Sequence, residues 1–256
     1  MLEVKPILLI RGTGNDADAT ALNALGISTI CDPFYSINSS NDPGEAKGLL
    51  KATQKALTPT WIIAASRNAL HHWAKLVGNE NLVNGFRNPH LAFAAVGESA
   101  KNLFRELGVT EVLLGEVMTS KSLLTTLLAG PTAKAIIPCG NLALDTIPKG
   151  LRSVGWIVET GIVYENKILK QPPASLAQIK AGSCSAILLR SPSAARALLH
   201  YLPELPTQSS REFSIICGGV TTADECESLG MKVDLLCEDL TPNKIARQIK
   251  NWIEQR

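Results

Sequence analysis

Short apolar runs alternate along the chain with longer stretches in which apolar residues recur every three or four positions. The runs are ILLI, WIIAA, LAFAAV, EVLLG, AIIPC, WIVETGIVY, AILLR, FSIICG and KVDLLCE. Each ends in small or polar residues and is followed by a helical pattern, which predicts repeated βα units on parallel sheets. The helical stretches are rich in Ala and Leu. Several close on Leu25-Gly26, Leu107-Gly108, Val154-Gly155 or Leu229-Gly230, where a glycine supplies the left-handed C-cap before the next strand.

The recurring endings expose an internal repeat. WIIAASRNALHHW aligns with AILLRSPSAARAL, which sets Ser66 opposite Ser191. FAAVGESAKNLFRELGV aligns with SIICGGVTTADECESLGM, which sets Gly97 opposite Gly219 and Gly108 opposite Gly230. A further βα pattern precedes each pair, ILLIRGTGNDADATALNALGISTI in one half and AIIPCGNLALDTIPKGLRSVGWIVE in the other. The duplication therefore extends over three βα units per half.

Composition narrows the function classes. A chain of 256 residues with 45% apolar content supports a sizeable core and suggests two domains. The charged fraction of 19%, with no charge runs, argues against disorder, and 5% aromatic residues with a formal net charge of +2 disfavour a nucleic-acid platform. The six cysteines, Cys31, Cys139, Cys184, Cys217, Cys226 and Cys237, form no C-x-x-C pair. The N-terminus lacks the pattern of a signal peptide, and no apolar run approaches the roughly eighteen residues of a membrane span. A cytoplasmic protein with reduced, mostly buried thiols is expected, without contact to membrane or nucleic acid.

Gly12, Gly14 and Ala17 fit the dinucleotide fingerprint G-x-G-x-x-A, with Asp32 about twenty residues on. The corresponding loop of the second half, PCGNLALD, lacks the second glycine, and Asp32 precedes Pro33 in CDPFYSIN. The glycines are read as permitting a tight turn, and no cofactor is expected. The four histidines, the pair His71-His72 with His90 and His200, give neither a metal-ligand nor a triad spacing. No metal is expected.

An early RG after a strand, the helix starts SRNAL and SPSAA, a VY leading into a linker, and GGVTTADECESLG followed by EDLTPNKI together resemble the uroporphyrinogen-III synthase family. The resemblance runs over nearly the whole chain. It implies two α/β lobes of parallel βα units joined by a two-stranded extended connector, with the active-site cleft between the lobes. The first lobe would combine residues 1–34 with 167–256 and the second would span 35–166, the connectors lying near 31–38 and 160–166. The implied activity is a lyase of tetrapyrrole and heme biosynthesis that closes hydroxymethylbilane to uroporphyrinogen III, with inversion of ring D and loss of water. A transient contact with the preceding pathway enzyme is also implied.

Such a substrate carries eight carboxylates and needs many hydrogen-bond donors, which helix N-termini supply without a basic protein. The candidate binding residues are Arg11, Ser66, Gly97, Ser99, Ser191, Gly219, Thr221 and Thr222. Ser66 and Ser191 are good N-caps in any case, and Thr221 with Thr222 matches the family's threonine pair. Ala100 stands where family members often carry threonine, and Arg67 replaces a common proline; Arg67 and Arg190 could each supplement the anion site. Tyr164 matches the tyrosine at the start of the family's return connector, and is the candidate catalytic group because a phenol can donate to the departing hydroxyl. Two other readings stay open: a two-lobed binding protein for an anionic small molecule, without chemistry, and a nicotinamide oxidoreductase.

Overall fold

The structure is a computed structural model that describes residues 5–205 and 211–255. In chain order its elements are β1 (Ile7–Leu9), α1 (Asn15–Asn23), β2 (Thr29–Cys31), β3 (Tyr35–Ser39), α2 (Gly44–Gln54), β4 (Thr60–Ala64), α3 (Arg67–Val77), α4 (Asn79–Phe86), β5 (Leu91–Ala95), α5 (Glu98–Glu106) and β6 (Leu113–Leu114). There follow α6 (Ser120–Leu128), β7 (Lys134–Gly140), α7 (Thr146–Ser153), β8 (Ile157–Ile168), α8 (Ser175–Lys180), β9 (Ala186–Leu189), α9 (Pro192–Tyr201), β10 (Ser214–Gly218), α10 (Val220–Ser228), β11 (Leu235–Cys237) and α11 (Pro242–Glu254). Every apolar run named above overlaps a strand. Two further strands, β2 and β3, arise from mixed segments with weaker alternation.

The chain divides into two compact units, one made of Met1–Ile37 with Lys167–Arg256 and the other of Asn38–Asn166. Residues 35–37 thus group with the first unit, because Phe34 and Tyr35 are buried in its core. Its five-stranded sheet has the order β11-β10-β9-β1-β2, with every pairing parallel. Alternate residues feed two cores: Leu8, Ile187 and Leu189 on one face, Ile7, Leu9, Ala186 and Leu188 on the other. A parallel sheet covered on both faces needs apolar residues at consecutive positions, which is why ILL and AILL are buried throughout.

The second unit has a six-stranded sheet ordered β3-β8-β7-β4-β5-β6. Ile62, Ala64, Ile136 and Val163 pack into one core around the buried Trp73, while Ile63, Ala94, Ala135 and Ile137 pack into the other. Four of its pairings are parallel. At β3 the Ser40 amide donates to Val163 O and, further along, the Leu169 amide donates to Phe34 O. The numbers rise on one strand as they fall on the other, so β3 and β8 run antiparallel.

The expected C-cap glycines all adopt positive φ: Gly26 (+80°), Gly108 (+86°), Gly155 (+92°) and Gly230 (+75°). That conformation strains residues with a Cβ, so the helix endings in the sequence are dictated by backbone geometry. Among the described residues no helix is long and apolar enough to cross a membrane, and no group of His, Cys, Asp or Glu could hold a metal ion.

Candidate functional site

In a doubly wound sheet, ligands settle beyond the carboxyl ends of the strands, where the winding direction reverses. In the first unit the chain winds outward from β1 to β2 on one side and from β9 through β10 to β11 on the other. The reversal lies between β1 and β9, whose ends lead into Arg11 and into Arg190 and Ser191. Ser191 is extended (φ −162°) and its hydroxyl accepts from the Ala194 amide at 3.3 Å, capping α9. The same oxygen lies 2.9 Å from the Tyr35 hydroxyl.

Arg11 and Arg190 converge on one carboxylate. Asp18 is 2% exposed; its Oδ1 accepts from Arg190 Nη1 at 2.5 Å and its Oδ2 lies 4.0 Å from Arg11 Nη1. Burial pushes the Asp18 carboxyl up, while the two guanidiniums counteract that rise. Burial likewise lowers Arg190, with Asp18 opposing it. Arg190 Nη2 also donates to Leu240 O at 2.8 Å, so Arg190 braces the loops after β9 and β11, whereas Arg11 keeps a side chain 30% exposed. Gly12 is small for a packing reason: a Cβ there would meet Tyr35 O at 2.8 Å. Gly14 has φ +80° at the start of α1. Gly14 thus serves the turn, as expected, whereas Gly12 makes room for the Tyr35 backbone.

Beside the reversal, the β10–α10 loop carries Gly219, Thr221 and Thr222. Gly219 has φ +93° and donates its amide to Cys237 O at 2.9 Å. The α10 start has no side-chain cap, and the amides of Val220 and Thr221 precede the first residue with an intrahelical acceptor. Thr221 is exposed. Thr222 is 3% exposed and its hydroxyl donates to Gly218 O at 3.3 Å.

In the second unit the chain winds outward from β4 to β5 and β6, and from β7 to β8 on the other side. The reversal therefore lies between β4, which leads into Ser66, and β7, which ends at Gly140. Ser66 repeats the geometry of Ser191, with φ −154° and a 3.3 Å bond from the Ala69 amide. Gly97, opposite Gly219 in the repeat, is instead extended (φ −147°), and a Cβ on it would meet nothing within 4 Å. Ser99 is exposed in the first turn of α5. Arg67 is committed to Glu106 through two bonds of 3.2 and 3.1 Å.

Tyr164 comes to the carboxyl end of β7 through a bulge. Cys139 pairs with Ile162 but Gly140 pairs with Tyr164, leaving Val163 as the extra residue. Bulges re-aim side chains in this way. Around it, Glu45 Oε2 accepts from the Ile162 amide at 2.6 Å, and the Asn141 amide donates to Tyr164 O at 3.1 Å. The Asn141 side chain takes the Asn166 amide at 2.8 Å and donates to Asn166 O at 3.2 Å, extending the ladder beyond β7. The Tyr164 ring stacks on His72, with centroids 5.5 Å apart and planes 26° apart. His72 is 7% exposed and its Nδ1 lies 3.0 Å from Ser39 Oγ. Burial, with smaller effects from His71 and Lys75, holds the imidazole below its ordinary pKa.

The sequence model of the family HEM4, described as uroporphyrinogen-III synthase HemD, matches residues 16–247. This chain belongs to the uroporphyrinogen-III synthase family. Its fold is similar to that of a mutant uroporphyrinogen III synthase from the extremely thermophilic bacterium Thermus thermophilus, at 16% identity and a TM-score of 0.70, over 98% of this chain and 100% of that one. It is also similar to uroporphyrinogen-III synthetase from Helicobacter pylori, at 16% identity and a TM-score of 0.59, over 99% of this chain and 100% of that one.

Within this family member, Arg11, Ser191, Gly219, Thr221 and Thr222 fall in one unit and Ser66, Gly97, Ser99 and Tyr164 in the other. Each set lies at or beside the reversal of its own sheet. Tyr35 and His72 are participants that residue types alone did not single out. Tyr35 lies in CDPFYSIN, a segment already marked as extended, but its partner Ser191 is 156 positions away. His72 stood in an unexplained pair with His71, and its helix position gave no hint of Tyr164.

Proposed function

We propose that this synthase-family chain closes hydroxymethylbilane to uroporphyrinogen III as a lyase, with loss of water and inversion of ring D. Carboxylates of the substrate would be bound by the open helix starts at Gly97 and Gly219, whose first amides lack intrahelical acceptors and carry the positive end of the helix dipole. The Thr221 and Ser99 hydroxyls and Arg11 would add donors, the last with a charge-assisted bond. Ser66 and Ser191 would fix the loops through their caps. A reducing cytoplasm suits the six free cysteines.

The observation that carries this reading is the placement of Tyr164. A bulge in β8 brings a phenol to the end of β7, next to the winding reversal. A phenol is protonated at neutral pH and donates a hydrogen bond. Donation to the terminal hydroxyl would assist its departure as water and leave an electrophilic methylene on the first ring. Ring four then attacks through its substituted carbon, and the resulting spiro intermediate fragments and recloses inverted. Unassisted closure gives the uninverted isomer, so the protein's main task is to hold the chain folded while the bond forms.

The test is incubation of the pure protein with freshly made hydroxymethylbilane, followed by chromatography of the oxidised product. Predominance of the III isomer is expected, and isomer I at the rate of a protein-free control would overturn the reading. Tyr164→Phe should lower turnover about ten- to a hundred-fold, at or below the lower end of the roughly 10²–10⁴-fold that general acid help typically supplies, because the chemistry is intrinsically easy.

A further inference from the structure

We infer that His72 and Gly140 position the Tyr164 phenol, His72 as the face on which its ring lies and Gly140 as the gap that its hydroxyl end enters. The inference rests on Tyr164 acting in the proposed reaction. Three separate observations converge on it. The ring stacks on His72 at a centroid distance of 5.5 Å, inside the 4.5–7 Å range of favourable aromatic pairs. A Cβ on Gly140 would lie 2.5 Å from Tyr164 Cζ and 2.9 Å from its hydroxyl oxygen. The bulge at Cys139/Gly140 sets Tyr164 opposite Gly140 in the first place.

Each constraint has an independent origin. Gly140 is not among the glycines with positive φ, so its lack of a side chain answers to the tyrosine and not to backbone conformation. His72 is fixed from behind: it sits on the buried face of α3, and its Nδ1 is within hydrogen-bond distance of Ser39 Oγ at the end of β3. A partly buried tyrosine in an open strand can choose among staggered rotamers. Here one side is closed by an imidazole and the other is open only because residue 140 has no Cβ. The bond between Ser39 and His72 ties this geometry to the strand leading into the unit, so Ser39, His72, Tyr164 and Gly140 form one chain of contacts.

The test combines kinetics with NMR of protein carrying 13C-labelled tyrosine, in which Tyr164 is assigned by the signal lost in Tyr164→Phe. His72→Ala should move the Tyr164 ring resonances and lower kcat about tenfold with KM within about twofold, the pattern of an interaction used in the transition state. His72→Phe, which restores a ring face, should recover most of kcat. The double variant His72→Ala with Tyr164→Phe should be no slower than Tyr164→Phe alone, since residues acting as a unit are not additive. Gly140→Ala leaves His72 in place and should give the same spectral and kinetic signature, which keeps the inference testable if His72→Ala does not fold. Unmoved Tyr164 resonances in both variants, or moved resonances with unchanged kcat, overturn the inference. Full activity of Tyr164→Phe overturns the role of Tyr164 itself, an outcome distinguishable because the spectrum of His72→Ala reads the contact without reference to turnover.

Discussion

Thr221 and Thr222 are adjacent in the chain and opposite in environment. Successive residues of a helix point about 100° apart, which leaves Thr221 exposed and turns Thr222 inward, where its hydroxyl donates to Gly218 O. Thr221→Ala should therefore weaken substrate binding with little change in Tm. Thr222→Ala should lower stability by about 1 kcal/mol, the usual net worth of one such bond, and leave KM nearly unchanged. Separate KM and thermal-unfolding measurements on the two variants check this division, and a KM effect confined to Thr222→Ala would contradict it. The TT pair is plain in the sequence, but which member faces outward depends on the helix phase relative to the core. His72 adds a pH dependence with a defined sign. Its folded pKa is lowered by burial below the unfolded value of about 6.5, so the unfolded chain binds more protons between those values and stability falls as pH drops below about 6.5. His72→Phe should flatten this part of the profile of Tm against pH; an unchanged slope would show that other groups set it.

At the level of elements, the repeat holds where the physics repeats and fails where it does not. Ser66 and Ser191 are matched in sequence and nearly superimposable in conformation, since both use a serine oxygen to cap the third amide of a helix. Gly97 and Gly219 are matched in sequence but differ in φ, −147° against +93°. Gly219→Ala should cost about 1–3 kcal/mol, because positive φ combined with an extended ψ of 150° is a conformation essentially reserved for glycine, with Leu240 only 3.3 Å from the added atom. Gly97→Ala should be neutral or stabilising by up to about 1 kcal/mol, because an alanine takes that conformation without strain and restricts the unfolded chain. Chemical denaturation of the two variants decides it; equal losses would mean that the glycines share a role in the fold. The buried strands were legible because a sheet covered on both faces demands unbroken apolar runs. The bulge in β8 was not, since a shift of one residue leaves the composition of WIVETGIVYEN unchanged while exchanging which side chain faces Gly140. The pairing of Tyr35 with Ser191 was hidden for the related reason that a contact across 156 positions leaves no local pattern.

For the whole molecule, the chain leaves the first unit after residue 37, completes the second, and returns at residue 167. The second unit is thus a continuous insertion. Its strands β4, β5, β6, β7 and most of β8 come from within 38–166, and its two cores draw on buried residues from Ala46 to Val163 alone. The first unit has no such continuity, because β1 pairs with β9 across a gap in sequence that the whole second unit fills. A segment with its own core on both faces of its sheet, and of the size at which roughly two thirds of the chain's surface is buried, can fold alone. The fragment 38–166 is therefore expected to fold, with Trp73 and Trp156 as reporters, since both are buried at 0% and 5% exposure. Its fluorescence should be blue-shifted and should be lost in one cooperative denaturant transition. The fragment 167–256 lacks β1 and β2, so the two strands that complete its sheet are missing and β9 is left with an open edge; it should stay unfolded or aggregate unless residues 1–37 are supplied. Addition of the 1–37 peptide to 167–256 should then restore dispersed amide resonances. A disordered 38–166 fragment would mean that the second unit draws its stability from the first, and a well-folded 167–256 alone would show that the pairing of β1 with β9 is dispensable.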